Sequence, residues 1–171
     1  MKTAFSTIFW AALVLAGLAS ATAISPKLPK APGLTYLYTV NITGGDLYEV
    51  GAGPRGTRIV VPILSGSFSG PRFKGTVLPL GGDWELVDAN HPNNGTVTID
   101  VRQTFKTDDG ALIQVFESGA TQTDGTAHVR LTYETGSQKY YWINSIVAIG
   151  IIRPLPAGSL QIQAWQMTTP T

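Results

Sequence analysis

Cysteine is absent from the 171 residues, and histidine occurs only twice, at His91 and His128. Without thiols there is no disulfide framework, no thiolate nucleophile and no cysteine zinc cage. Two separated histidines do not make up that loss, so no metal is expected. Charge is also scarce, at 13% of residues, with 12 Lys and Arg against 11 Asp and Glu. Binding to nucleic acid rests on clustered cations that neutralise phosphates, and no basic stripe is present, so no nucleic-acid partner is expected. The G-x-S-x-G elbow of a serine hydrolase is missing. "GAGPRG", at 51–56, does not feed the helix that a phosphate-cradling loop requires, and no cofactor is expected.

Long apolar runs are missing too, apart from one near the start. "MKTAFSTIFWAALVLAGLASATA" opens with Lys2, runs through apolar Ile8 to Ala19 and ends in the small residues Ala21-Thr22-Ala23. That is the pattern of a secretory signal peptide, residues 1–23, with cleavage before Ile24. The run is too short to span a bilayer as an anchor. The protein is therefore expected to be secreted, with no membrane association after cleavage. A proline-rich lead-in, 24–33, follows and cannot pair as a strand. The remaining chain, 34–168, is long enough to bury roughly two-thirds of its unfolded surface as one domain, without disulfides. Sequons at Asn41 ("NIT") and Asn94 ("NGT") are expected glycosylation sites on that route.

What the chain does have is alternation. Eight segments read as strands: 34–40, 57–64, 72–78, 96–106, 111–117, 128–134, 140–152 and 159–167. They are separated by Gly, Pro, Asn and Asp clusters. In "TVTIDVRQTFK" one face carries Val97, Ile99, Val101, Gln103 and Phe105, and the other Thr98, Asp100, Arg102, Thr104 and Lys106. In "HVRLTYE" Val129, Leu131 and Tyr133 face away from His128, Arg130, Thr132 and Glu134. No segment after the leader holds a 3.6-residue period over three turns, so any helix is short. The fold is all-β and antiparallel, and the alternation fits a sandwich and a barrel equally.

Three motifs in order narrow that choice. "GPRGTRIVVPILSGSFSGPRFKGTVLPLGGDWELV", "DVRQTFKTDDGALIQV" and "YETGSQKYYWINSIVAIGIIR" resemble the domain-of-unknown-function family 3237, also called uncharacterised protein family 0311. The likeness runs from about Leu34 to Met167. It implies a calycin-like antiparallel β-barrel of about eight strands, and it implies no particular reaction. The chain departs from the family pattern at Leu80, at Val129-Arg130 and at Ser145, which stands where relatives carry a basic residue. Ligand identity therefore does not transfer.

The candidate site follows from residue types and positions. Asp108-Asp109-Gly110 reads as a two-residue type I′ corner, with the Asp108 carboxylate overlooking a barrel mouth. In "LGGDWEL" the glycines permit close backbone approach, Asp83 is a candidate acid or base, and Trp84 a pocket wall. A β-bulge with Trp84 plugging the barrel end is the alternative. Asp100 and Arg102 lie two apart on one strand, about 6.6 Å, close enough to pair. Inside the barrel such a pair would point to function; outside it would be worth less than about 1 kcal/mol. Glu134, Tyr141, Trp142 and Asn144 complete the set. The expectation is that Asp83, Asp108 and Glu134 supply acid/base groups, and the others ligand contacts, around a hollow for a small organic molecule. A buried acid there would have the raised pKa that cofactor-free isomerisation, cyclisation or elimination needs. A carrier with the same pocket, and a structural or interaction protein with a filled barrel, are the competing readings.

Overall fold

The computed structural model describes residues 28–88 and 95–170. The chain divides into two compact units, Met1–Lys30 and Ala31–Thr171. Of the first, only residues 28–30 are described, and they have no regular secondary structure. The expected leader, the first four residues of the lead-in (24–27), His91 and Asn94 lie outside the described residues.

The second unit is one antiparallel sheet of ten strands: β1 (Gly33–Gly44), β2 (Tyr48–Gly53), β3 (Gly56–Ser69), β4 (Lys74–Asp83), β5 (Leu86–Val87), β6 (Val97–Thr107), β7 (Leu112–Thr121), β8 (Ala127–Glu134), β9 (Ala148–Leu155) and β10 (Ser159–Thr168). β1 pairs with β10 on one side and with β3 on the other, so the sheet closes. Eight strands make the wall. β2 extends β3 as an outlying hairpin, and β5 bridges β3 and β6. The expected all-β barrel forms, and closure removes the open edges that an eight-strand sheet would otherwise expose. Among the described residues no helix is long and apolar enough to cross a membrane.

Alternation decides what points inward. On β6, Ile99, Val101, Gln103, Phe105 and Thr107 are buried, while Thr98, Arg102 and Lys106 are exposed. β8 alternates strictly between buried Ala127, Val129, Leu131 and Tyr133 and exposed partners. The interior then divides along the axis. At one end Tyr38, Phe68, Phe73 and Phe105 interlock, with Phe68 and Phe105 stacked at 4.3 Å and Tyr38 edge-on to Phe105 at 5.4 Å. Such pairs add about 0.5–1.5 kcal/mol each beyond the area they bury. The Tyr38 and Tyr133 hydroxyls meet at 3.0 Å, which satisfies both in the core. At the other end the lining is aliphatic and does not fill the space.

One expected strand is corrected. Residues 140–152 do not run straight: Gln138–Ser145 forms a 3-10 helix, and β9 begins at Ala148. Tyr140 and Ile143 are the buried pair, three residues apart, which is the 3-10 period rather than the period of two. Asn144 fixes the turn. Its Oδ1 accepts from the Thr135 N–H at 2.8 Å, and its Nδ2 donates to the Thr135 carbonyl at 2.9 Å. β-propensity in Tyr140, Tyr141 and Trp142 is overridden by this clasp and by core packing. β2, "YEVGAG", escapes detection because its glycines leave no alternation to read.

Candidate functional site

The aliphatic end of the barrel holds a cavity of about 190 Å³, lined by Ile42, Ile63, Ile99, Val101, Ile152, Leu160 and Ile162 among others. It reaches solvent beside the exposed Gly125 and Pro154. Three carboxyl groups line it, Asp83, Glu85 and Glu117, and among the described residues no Lys, Arg or His does.

Backbone register brings two of these acids together. Val101 on β6 pairs with Asp83 on β4 at one side and with Glu117 on β7 at the other. Two strand spacings put their backbones roughly 10 Å apart, and all three residues point inward, so the two side chains reach toward each other over Val101. A bulge in β4, between Leu78 and Gly82, sets the aim of Asp83. Only glycine permits it: a Cβ on Gly81 would lie 2.0 Å from the Arg102 carbonyl oxygen. Alternation through "DWE" then turns Asp83 and Glu85 to the cavity and Trp84 outward.

Glu117 is fully buried and fixed by one partner, the Gln103 side-chain amide, which donates to Glu117 Oε1. Gln103 Oε1 and Glu117 Oε2 have no hydrogen-bond partner. Gln103 Oε1 can only accept, whereas Glu117 Oε2 accepts when the carboxyl is ionised and can donate when it is protonated. An unmade bond at a buried group costs about 1–3 kcal/mol. Burial, first, and the Asp83 charge, second, push the Glu117 carboxyl up to about 8, against the opposing Gln103 bond. Burial raises Asp83 to about 7, although the Asp100 N–H donates to its Oδ1 at 3.0 Å. Burial also raises Glu85. The cavity thus contains acids that keep protons near neutral pH.

The other expected site residues are not gathered here. Asp100 and Arg102 do pair, at 3.8 Å, but on the outer wall with both side chains about half exposed. The inward alternative is thereby corrected, since Ile99 and Val101 own the inner face. Trp84 lies outside with them, its ring 5.8 Å from the Arg102 guanidinium. Glu134, Tyr141 and Asn144 share a shallow outer depression with Gln114 and Thr135. Trp142 packs edge-on to Phe73 at 6.0 Å beneath the Arg72 guanidinium, 3.3 Å from its centroid. Asn41 is exposed on the outer wall, its Oδ1 accepting from Gln161 at 3.1 Å.

Asp108 stands at the aromatic end, 3.5 Å from Lys74 and exposed. The corner forms, but not as type I′. Only Gly110 takes a positive φ, 89°, and the Thr107 N–H bonds the Ala111 carbonyl across a three-residue loop. That is a type I turn closed by a glycine bulge. Asp109, not Asp108, is the busy member: it accepts from Lys139 Nζ at 2.6 Å, from the Thr107 hydroxyl and from the Tyr140 hydroxyl. Those bonds hold its carboxyl well below the usual range. A depressed folded-state pKa stabilises above the unfolded value and ceases to as pH falls through the folded one. Asp109→Asn is therefore expected to loosen the 3-10 helix at pH 7, read as faster hydrogen exchange at the Tyr140 amide, with barrel amides unchanged. Equal exchange in both proteins would show that the carboxylate holds nothing.

Comparison with known proteins places this arrangement. Residues 32–131 match the family described as protein of unknown function DUF3237. The chain is 31% identical over 122 residues to the hydroalkoxylation enzyme phnH of Penicillium herquei, covering 71% of this chain and 75% of that one. It is 27% identical over 132 residues to a UPF0311 protein of Rhodopseudomonas palustris, covering 67% and 84%. A β-barrel-like protein of Acinetobacter baumannii superposes with a TM-score of 0.74 at 28% identity, covering 82% of this chain and 99% of its own. An enzyme from Penicillium herquei does so with a TM-score of 0.67 at 29% identity, covering 82% and 98%. By sequence match and by barrel, this chain belongs to the DUF3237 (UPF0311) family.

Proposed function

We propose that the protein is a cofactor-free tailoring enzyme that isomerises a small organic molecule by proton transfer inside the barrel. One observation carries this: Glu117 and Asp83, whose carboxyls hold protons near neutral pH, share one apolar cavity. A general acid or base works best with a pKa near the working pH. The similarity to a hydroalkoxylation enzyme supports addition of an O–H across a carbon–carbon double bond. Such a step balances without oxidant or co-reactant. One carboxyl gives its proton to an alkene carbon, the substrate hydroxyl oxygen bonds to the other alkene carbon, and a carboxylate takes the hydroxyl proton. The product is an isomer of the substrate. Asp108 and Glu134, the other two acids expected from sequence, lie on the outer surface and have no part in this proposal.

The test uses 2-(2-methylallyl)phenol in D₂O, following cyclisation to the dihydrobenzofuran by mass spectrometry and NMR. The expected result is conversion above background, with one deuterium entering the new methyl group. Glu117→Gln and Asp83→Asn should each lower the rate by about 10²–10⁴-fold, the usual worth of a positioned proton donor or acceptor. Unchanged rates in both variants would reject the assignment. Binding of the phenol without conversion would make the protein a carrier.

We further propose that this enzyme acts after export, as the leader sequence implies, with glycans on the sequons at Asn41 and Asn94. Edman sequencing of protein secreted by its own source should begin at Ile24, and retention of Met1 would refute export with cleavage.

A further inference from the structure

The cavity is selective in a way its proton chemistry alone does not require. Its lining is almost entirely aliphatic, its polar groups are acids and the threonines Thr121 and Thr126, and among the described residues no cation faces it. Glu117 is among the lining residues and fully buried, and its Oε2 has no hydrogen-bond partner in the protein. Gln103 occupies the other carboxyl oxygen and so fixes which one a guest meets.

We propose that the cavity takes an uncharged, mostly apolar molecule whose single hydroxyl or carbonyl oxygen hydrogen-bonds Glu117 Oε2, and that it turns anionic molecules away. This rests on the ligand-cavity reading above and names the class of guest. The reasons are three. An anion entering here loses its hydration and meets carboxyls with no Lys, Arg or His to compensate, and an unpaired buried charge is strongly penalised. Aliphatic walls reward apolar surface, and 190 Å³ exceeds the roughly 150 Å³ that holds a benzene ring. A neutral carboxyl supplies a hydrogen-bond donor to an incoming oxygen, and a hydroxyl or carbonyl guest can accept it. Gln103 acts as a positioning residue in this scheme.

Three probes of one shape and different charge settle it: 2-naphthol, 2-naphthoate and 2-naphthylmethylammonium, each titrated at pH 6.5 by calorimetry against the folded wild type. The expected result is that naphthol binds, naphthoate binds at least tenfold more weakly, and the ammonium probe binds no more tightly than naphthol. Glu117→Leu, which keeps the cavity but removes the oxygen, should weaken naphthol about tenfold while narrowing its advantage over naphthoate. Naphthoate binding as tightly as naphthol would overturn the inference and leave the catalytic proposal intact. An ammonium probe tighter by tenfold would overturn it in favour of a cation site. If none of the three binds, the ligand cavity itself falls. If naphthol binds as expected but the methylallyl phenol is never converted, the inference stands and the catalytic proposal alone is lost.

Discussion

Glutamine in place of Glu117 is expected to stabilise the barrel at pH 8 by several kcal/mol while changing little at pH 4.5. The reason is linkage. In the unfolded chain this carboxyl titrates near its ordinary 4.5; in the barrel, burial and the Asp83 charge raise it to about 8. Below 4.5 both states hold the proton and the group contributes nothing to pH dependence. Between about 4.5 and 8 the unfolded chain has released a proton that the folded chain retains, so unfolding becomes more favourable as pH rises. Above the folded value the barrel must bury a carboxylate, and the loss, roughly 3–5 kcal/mol from a shift of this size, is complete. The amide introduced by Glu117→Gln mimics the protonated carboxyl, accepting from Gln103 and carrying no charge. Asp83, raised from 3.8 to about 7, keeps its own decline over the lower part of the range. Urea titrations at pH 4.5 and pH 8 measure the difference: wild type should lose more stability between them than the variant. Parallel losses would mean that Glu117 ionises in the barrel as easily as it does in water. Stability gained where activity is lost is the usual signature of a group kept for its chemistry.

This acid was visible in the sequence but masked by the pattern that reveals strands. Gln103 sits in the row Val97, Ile99, Val101, Phe105, and Glu117 in the row Ile113, Val115. A polar residue at an inward position of a strongly alternating strand is either a mistake in the pattern or a site. The inner and outer faces of β6 were legible, which is why Asp100 and Arg102 could be recognised as partners. What periodicity does not encode is closure. Which acids share a cavity depends on β4, β6 and β7 being neighbours in register at Val101, and on a bulge at Gly81 and Gly82 that turns Asp83 inward. Asp108 and Glu134 belong to equally suggestive motifs, yet they lie in separate depressions on the outer surface. The barrel was legible from alternation together with family resemblance; the hairpin β2 and the 3-10 helix were not, since glycine in one and a side-chain clasp in the other decide them.

Phe105→Ala is expected to cost roughly 3–5 kcal/mol, while Ile99→Ala, on the same strand and the same face, costs about 2 kcal/mol or less. Phe105 has no exposed surface and touches aromatic rings on several sides, stacked on Phe68 at 4.3 Å and edge-on to Tyr38. Removing it leaves a void that rings held by their own neighbours cannot collapse to fill. Ile99 already borders empty space, so the truncated side chain loses contacts on one side only. The consequences for binding run the other way: Ile99→Ala should change the affinity for 2-naphthol, and Phe105→Ala, in protein that remains folded, should not. Urea midpoints and calorimetry on the two variants separate the cases. Equal destabilisation would show that the aliphatic end is packed as tightly as the aromatic end. A barrel of eight strands encloses about as much room as its side chains can fill. Crowding the rings of Tyr38, Phe68, Phe73 and Phe105 into one end lets that end hold the fold together, which leaves the other end free to stay hollow around its acids.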